Sequence, residues 1–167
     1  MVKHWRYSVP SKEGEGWAVL FLDDSGIFAA ASDYGNYVYS HFCCNSIRHF
    51  VANLRCDHYI LDKLTGGNKT EYNSKRTVQV LKELICTNRR ENYWNKAMAR
   101  EEWDNISLYD LDNYCWDIDG WLKATNIDCA CEYLRYDFCG QAVAFVERAL
   151  PRLQEKIKQE LIQEGVW

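Results

Sequence analysis

The sequence predicts an α+β fold with an N-terminal antiparallel β-meander of three to four strands, followed by a bundle of five to seven helices. Two observations carry this prediction. Apolar and aromatic runs at 17–22, 27–31 and 37–39 are separated by Asp-Asp-Ser-Gly and Asp-Tyr-Gly-Asn, which are typical of tight turns. Beyond residue 44 the apolar residues recur every three or four positions, as they do on a helix. We therefore expect a sheet over 1–44 and helices over 45–167, within a single domain.

The strands of the meander can be assigned faces from their alternation. Residues 4–9 alternate well enough to add a first strand. In the last strand Tyr37 and Tyr39 share one face and Val38 lies on the other. Because the run 17–22 places large apolar groups on both sides of the sheet, helices must cover one of its faces.

Capping residues and apolar spacing locate the helices. Helices are predicted to begin at Asn45 or Ser46, at Asp57, at Asn73 or Ser74, at about Lys96, and at Asn126, the last of them running to Tyr136. The most regular stripe is the C-terminal one, formed by Val143, Val146, Leu150, Leu153, Ile157 and Leu161. Pro151 lies within it and predicts two helical segments or a kink.

Charge is distributed unevenly along this chain of net charge −4. The segment 63–100 holds nine Lys or Arg and three Glu, whereas 104–137 holds eight Asp or Glu and two basic residues. The structural interpretation is that the two segments face each other, or that their charges are the solvent-exposed faces of separate helices. The functional interpretation is that they form two opposed surfaces, one of which binds a charged partner.

The eight cysteines and the N-terminus bear on the compartment. The first residues contain no apolar leader, and no run approaches the ~20 apolar residues of a membrane span. We expect free thiols in a reducing cytoplasm, buried as small hydrophobes, and no membrane partner.

Sites for metal and catalysis are poorly supported by the sequence. His41, Cys43, Cys44, Cys56 and His58 are capable zinc ligands, but their spacings lack the two to four intervening residues of structural sites. Two further sites are possible but no motif supports them. One is a cysteine nucleophile paired with a histidine, and the other is a phosphate-binding loop at 65–70. We predict no metal, no cofactor and no catalytic residues, hence a protein that is not an enzyme.

Two surfaces are candidates for binding. The first is acidic and aromatic, and consists of Asp110, Asp112, Tyr114, Trp116, Asp117, Asp119 and Trp121, where carboxylates could occupy a surface made for phosphates. The second is basic, and consists of Lys75, Arg76, Lys82, Arg89 and Arg90, with nearby aromatic residues that could stack on bases.

Several phrases of the chain together resemble a group of small proteins encoded by bacteriophages, prophages and other mobile elements. These are GWAVLFLDDSGIFAAASDYGNYVYSHF, CDHYILDKL, AREEWD and AFVERALPRLQEKIKQEL, and the resemblance spans residues 16–161. It implies a phage accessory protein that binds and disables a host machine in the bacterial cytoplasm. The leading expectation is a non-enzymatic inhibitor of a host defence protein or ribonucleoprotein complex, of the anti-CRISPR type. The alternative is a nucleic-acid-binding accessory protein that uses the basic segment, and a thiol- or metal-dependent enzyme comes third.

Overall fold

The computed structural model describes residues 2–40, 46–55, 58–111 and 118–167. The chain forms two compact units, and each is described by itself. Unit 1 contains residues 1–69 and 138–167, and unit 2 contains residues 70–137. The division between the units does not fall at residue 44. That the whole chain makes one domain stays a prediction.

The elements follow one another as β1 (His4–Val9), β2 (Ala18–Asp23), β3 (Ile27–Ser32), β4 (Gly35–Ser40), α1 (Ile47–Ala52), α2 (His58–Thr65), β5 (Glu71–Tyr72), α3 (Ser74–Arg90), α4 (Lys96–Leu108), α5 (Ile118–Ala124), a 3₁₀ turn (Ala130–Tyr133), β6 (Tyr136–Asp137), α6 (Gly140–Ala144), a π-helical turn (Phe145–Ala149) and α7 (Leu150–Gln163). The predicted α+β class and the N-terminal four-stranded antiparallel sheet are confirmed. No helix in the described ranges is both long and apolar enough to cross a membrane.

The sheet of unit 1 is a meander in the order β1-β2-β3-β4. Its turns need glycine, because Gly26 and Gly35 have φ of 97° and 115°, a region that other residues rarely adopt. Before Gly26, an Asp23 carboxylate oxygen accepts hydrogen bonds of 3.0 Å from the backbone N–H groups of Ser25 and Ile27. This bonding to its own turn is the reason an aspartate suits the first position.

Helices of the same unit pack against one face of this sheet. That face carries Leu20, Leu22 and Phe28, which are almost fully buried among side chains of α1, α2, α6 and α7. Burial of each such side chain contributes roughly 1.5–3 kcal/mol to stability. Tyr37 and Tyr39 lie on the core side while Val38 is 71% exposed, as the alternation predicts. The opposite face therefore keeps apolar side chains in contact with solvent.

The C-terminal stripe forms two helical segments, as Pro151 predicts. The second residue of α7 is Pro151, and before it the backbone widens into the π-helical turn. There the N–H of Leu150 donates to the carbonyl of Phe145, five residues back. A proline ring clashes with the carbonyl four residues earlier, so the wider turn relieves that clash. Val146, Leu150, Leu153, Ile157 and Leu161 are all buried, and Val143 packs at the edge of the core.

Unit 2 is built on the helices α3 and α4, which pack against each other. Asn73 and Asn95 cap them, each accepting a 2.9 Å hydrogen bond from the backbone three residues on. The core of unit 2 comprises Val78, Leu81, Ile85, Ile106, Leu111, Trp121, Ile127 and Ala130. The predicted starting positions of both helices, Asn73 or Ser74 and about Lys96, are confirmed.

The helix predicted from Asn126 to Tyr136 is wrong. No helix begins at Asn126, whose backbone N–H and side-chain NH₂ group both donate to Glu102 at 2.8 Å. Cys129 then adopts a left-handed conformation with φ of 51°, which an α-helix does not contain. The segment forms a 3₁₀ turn and then β6, which pairs with β5. A capping side chain was thus engaged by a partner 24 residues away in sequence.

Candidate functional site

A groove lies between α3 and α4 in unit 2. Its volume is about 480 Å³, within the range of small-ligand pockets. Helix α3 contributes Ile85, Cys86, Arg89 and Arg90, and helix α4 contributes Lys96, Ala99, Arg100 and Trp103. We call these eight residues the basic groove. Four of them are cations and none is an acid.

Helical periodicity explains why these side chains meet. On α4 the positions 96, 99, 100 and 103 recur every three or four residues and therefore share a face. On α3 the positions 85, 86, 89 and 90 make two adjoining rows. Ile85 is buried and anchors one row to the core, while Arg89 and Arg90 are exposed in the last turn. The groove thus has an apolar floor and a charged rim.

The charge of the groove is little compensated. Arg100 pairs with Asp104 at 2.9 Å, but both side chains are more than half exposed, so the pair contributes little. No described residue forms an ion pair with Arg89, Arg90 or Lys96. Lys96 also lies in the first turn of α4, where the helix dipole disfavours a cation. A bound anion would stabilise this arrangement.

Trp103 supplies an aromatic surface to the same groove. It is 38% exposed, so part of the indole is open to a ligand. The ammonium group of Lys82 lies 5.0 Å from the centre of one of its rings, a cation–π contact. An aromatic ring beside several cations can bind a planar group that carries phosphates.

The structure brings together only part of the predicted basic surface. Arg89 and Arg90 line the groove, and Lys82 contacts it through Trp103. Arg76 instead pairs with Asp137 at 3.2 Å, and the exposed Lys75 does not line the groove. The groove residues that the predicted basic surface omitted are Ile85, Cys86, Lys96, Ala99, Arg100 and Trp103. The shared helical face of 96, 99, 100 and 103 was a signal that could have found most of them.

The predicted acidic and aromatic surface is only partly described. Asp112, Tyr114, Trp116 and Asp117 lie outside the described residues. Asp110 and Asp119 are exposed, but Trp121 is completely buried in the core of unit 2. The assignment of Trp121 to a contact surface is therefore corrected, because a side chain without exposed area cannot touch a partner.

Cysteines were expected to be buried, and three of the described ones are not. Cys86, Cys129 and Cys131 are exposed, Cys139 is half-buried, and all four are free thiols. Of the five predicted zinc-ligand candidates, only His58 is described, near Phe138. The described ranges hold no group of three or more His, Cys, Asp or Glu side chains suited to a metal ion.

Unit 1 contains a buried charge that holds α1 to α7. The guanidinium of Arg48, only 6% exposed, donates two hydrogen bonds of 3.1 and 2.9 Å to the carboxylate of Glu164. This hydrogen bonding lowers the pKa of Glu164. Burial raises the pKa of the neighbouring Tyr7 to about 12. The cluster ties two elements of the core together.

The solvent face of the sheet is the second feature of note. Phe21, Ala29 and Val38 are directly opposite one another on β2, β3 and β4. Phe21 is 49% exposed, and Ile27 lies nearby at 41%. Exposed apolar patches on a sheet are typical of protein-binding surfaces. We call Phe21, Ile27, Ala29 and Val38 the apolar face.

Comparison with known proteins identifies the chain's relatives. Residues 1–159 match the model of a protein family described as a phage family. No curated protein and no solved structure gives a match. Since the family model covers almost the whole sequence, the chain belongs to this phage protein family.

Proposed function

We propose that this phage protein acts by binding rather than by catalysis, and that the basic groove takes a nucleic-acid ligand in the host cytoplasm. The observation that carries the proposal is the convergence of four cations on an apolar groove lined by Trp103. Phosphates would contact Arg89, Arg90 and Lys96, and a base would stack on the exposed part of the indole. This develops the nucleic-acid alternative of the sequence analysis.

Charge reversal tests this assignment. In the Arg89→Glu/Arg90→Glu variant we expect the affinity for a fluorescein-labelled, single-stranded oligonucleotide of mixed sequence to fall at least tenfold at low salt. The matched control is Lys75→Glu/Lys123→Glu, which changes the net charge equally at two exposed residues of unit 2 outside the groove. Fluorescence anisotropy should show the control within about twofold of wild type. Equal losses in both variants, or none in either, would contradict a role for the groove.

A second candidate function is the inhibition of a host defence complex through protein contacts. The apolar face favours it, because Val38 is 71% exposed without a covering element in the described part of unit 1. Burial of such side chains against a partner protein would contribute to affinity. Arg6 lies 5.9 Å from the Phe21 ring and adds a cation at the edge of this face.

This second candidate has its own test. In a bacterial strain that carries the sensitive defence system, the wild-type protein should protect an infecting phage. The Val38→Asp variant should lose this protection while its melting temperature stays that of the wild type. Asn36→Asp introduces the same charge at another exposed position of β4 and serves as the control. Full protection by the Val38→Asp variant would exclude the apolar face as the inhibitory surface. If the bacterial strain carries a CRISPR system, the same assay tests whether the protein is an inhibitor of the anti-CRISPR type.

A further inference from the structure

The basic groove is an isolated positive site on an acidic unit. Residues 70–137 contain nine Lys or Arg and thirteen Asp or Glu, a net charge of −4 for unit 2. Proteins that track along a nucleic-acid polymer are usually basic over a whole face. The excess of acids over bases in this unit would oppose the binding of a long, negatively charged polymer. The charge distribution therefore favours a ligand no longer than the groove itself.

The number of contacts that the groove offers sets the size of that ligand. The groove is open to solvent and has a volume of about 480 Å³, so its walls do not enclose a ligand. Four cations can neutralise about as many phosphate charges, and one exposed indole offers a stacking surface for one base. Both observations describe a ligand of a few nucleotides.

We propose that the basic groove binds a short single-stranded oligonucleotide of about two to four nucleotides, with one base stacked on Trp103 and its phosphates on Arg89, Arg90, Lys96 and Arg100. This inference rests on the proposed function and gives it a ligand class and a size limit. A duplex is disfavoured because its bases are stacked inside the helix and cannot reach Trp103. An acidic peptide could contact the cations but would gain nothing from a base-stacking surface.

A length series tests the size limit. The probes are 5′-phosphorylated single strands of two, four, eight and sixteen nucleotides, which carry one phosphate per nucleotide, and a sixteen-base-pair duplex, each titrated into the protein. We expect the affinity to rise with length up to about four nucleotides. For longer strands it should increase only in proportion to the number of positions at which the groove can bind along the strand. The slope of log K against log salt should level off near −3, because about four phosphates are contacted and each contributes roughly −0.7. Affinity that keeps rising with length, a steeper slope, or tighter binding of the duplex would overturn the size limit.

Substitution of Trp103 tests the stacked base. For the tetranucleotide, Trp103→Ala should lower the affinity by roughly five- to a hundredfold, and Trp103→Phe should restore most of it. A tetranucleotide without bases should bind weakly and equally to wild type and Trp103→Ala. An equal loss for both probes would show that Trp103 only shapes the groove, and would overturn the stacking contact.

The outcomes separate this inference from the proposed function. If the oligonucleotides bind and the Arg89→Glu/Arg90→Glu variant does not bind them, but affinity grows steadily with length, the proposed function stands and the size limit is wrong. If none of the nucleic-acid probes binds at low salt, the proposed function and the inference both fail. Binding of a poly-glutamate peptide with equal affinity and equal sensitivity to Trp103→Ala would also refute the oligonucleotide assignment.

Discussion

Removal of the Glu102 side chain should destabilise unit 2 strongly. Glu102 is 1% exposed and accepts three hydrogen bonds. These come from the hydroxyl of Thr125 at 2.6 Å and from the backbone and amide nitrogens of Asn126, each at 2.8 Å. The contacts hold the segment after α5 against α4. They also explain the irregular conformation where a helix was predicted.

The size of the effect follows from these contacts. Each donor left unsatisfied costs about 1–3 kcal/mol, less where water can enter. For Glu102→Ala we therefore expect a loss of about 3–5 kcal/mol in the free energy of unfolding, since three donors lose their partner. Glu102→Gln keeps one carbonyl acceptor and should cost only about 1–2 kcal/mol.

Urea unfolding combined with amide hydrogen exchange measures this effect. Exchange at the backbone amide of Asn126 reports on unit 2 directly, which matters because a chain of two units need not unfold in one step. Glu101→Ala, at the exposed neighbouring position, is the control and should stay within ~0.5 kcal/mol of wild type. If Glu102→Ala behaves like that control and the Asn126 amide stays protected, Glu102 does not organise this segment.

Three further predictions concern unit 1 and the whole chain. Leu153→Ala and Ile157→Ala should each cost about 2–5 kcal/mol in urea unfolding, because both side chains are fully buried; losses within ~0.5 kcal/mol would refute their packing. Since bonding to Arg48 lowers the pKa of Glu164 below its usual 4.5, its stabilisation is present above pH 4.5 and is lost as the pH falls through the lowered value. Acid titrations of stability should therefore be less steep for Glu164→Gln, and an unchanged profile would contradict this. Addition of a chelator should leave the melting temperature unchanged, whereas a large drop would reveal a structural metal.

The parts of the fold that could be predicted are those fixed by local chemistry. The turns at Gly26 and Gly35 require a positive φ, and that requirement is visible in the sequence. The C-terminal stripe around Leu153 is regular because one helix face packs on a large core. Pro151 disturbs its own backbone within a few residues, so the division of the helix was also predictable.

The parts that could not be predicted depend on distant partners. Asn126 has the right chemistry for a helix cap, but its side-chain amide donates to Glu102, a partner 24 residues away in sequence. The sequence shows that Trp121 lies among acids, yet its burial depends on where α5 packs. The exposure of cysteines such as Cys86 was not predicted, because cysteine is usually buried. The average burial of a residue type does not determine the burial of one particular residue.

The candidate site shows the same division. The sequence contains the excess of positive charge over 63–100, and Arg89 and Arg90 were identified from it. Their convergence with Lys96 and Trp103 depends on how α3 and α4 pack, which charge counting does not address. The groove is a product of the helix pair rather than of a motif.

Protection of Cys86 tests the central claim of a ligand-binding groove most directly. This thiol lines the groove, whereas the exposed thiols of Cys129 and Cys131 in the same unit do not. The rate of alkylation at each cysteine can be followed by peptide mass spectrometry, with and without a saturating tetranucleotide. We expect alkylation of Cys86 to slow several-fold while Cys129 and Cys131 react as before. Unchanged rates at all three thiols, or the same slowing at all three, would contradict the account.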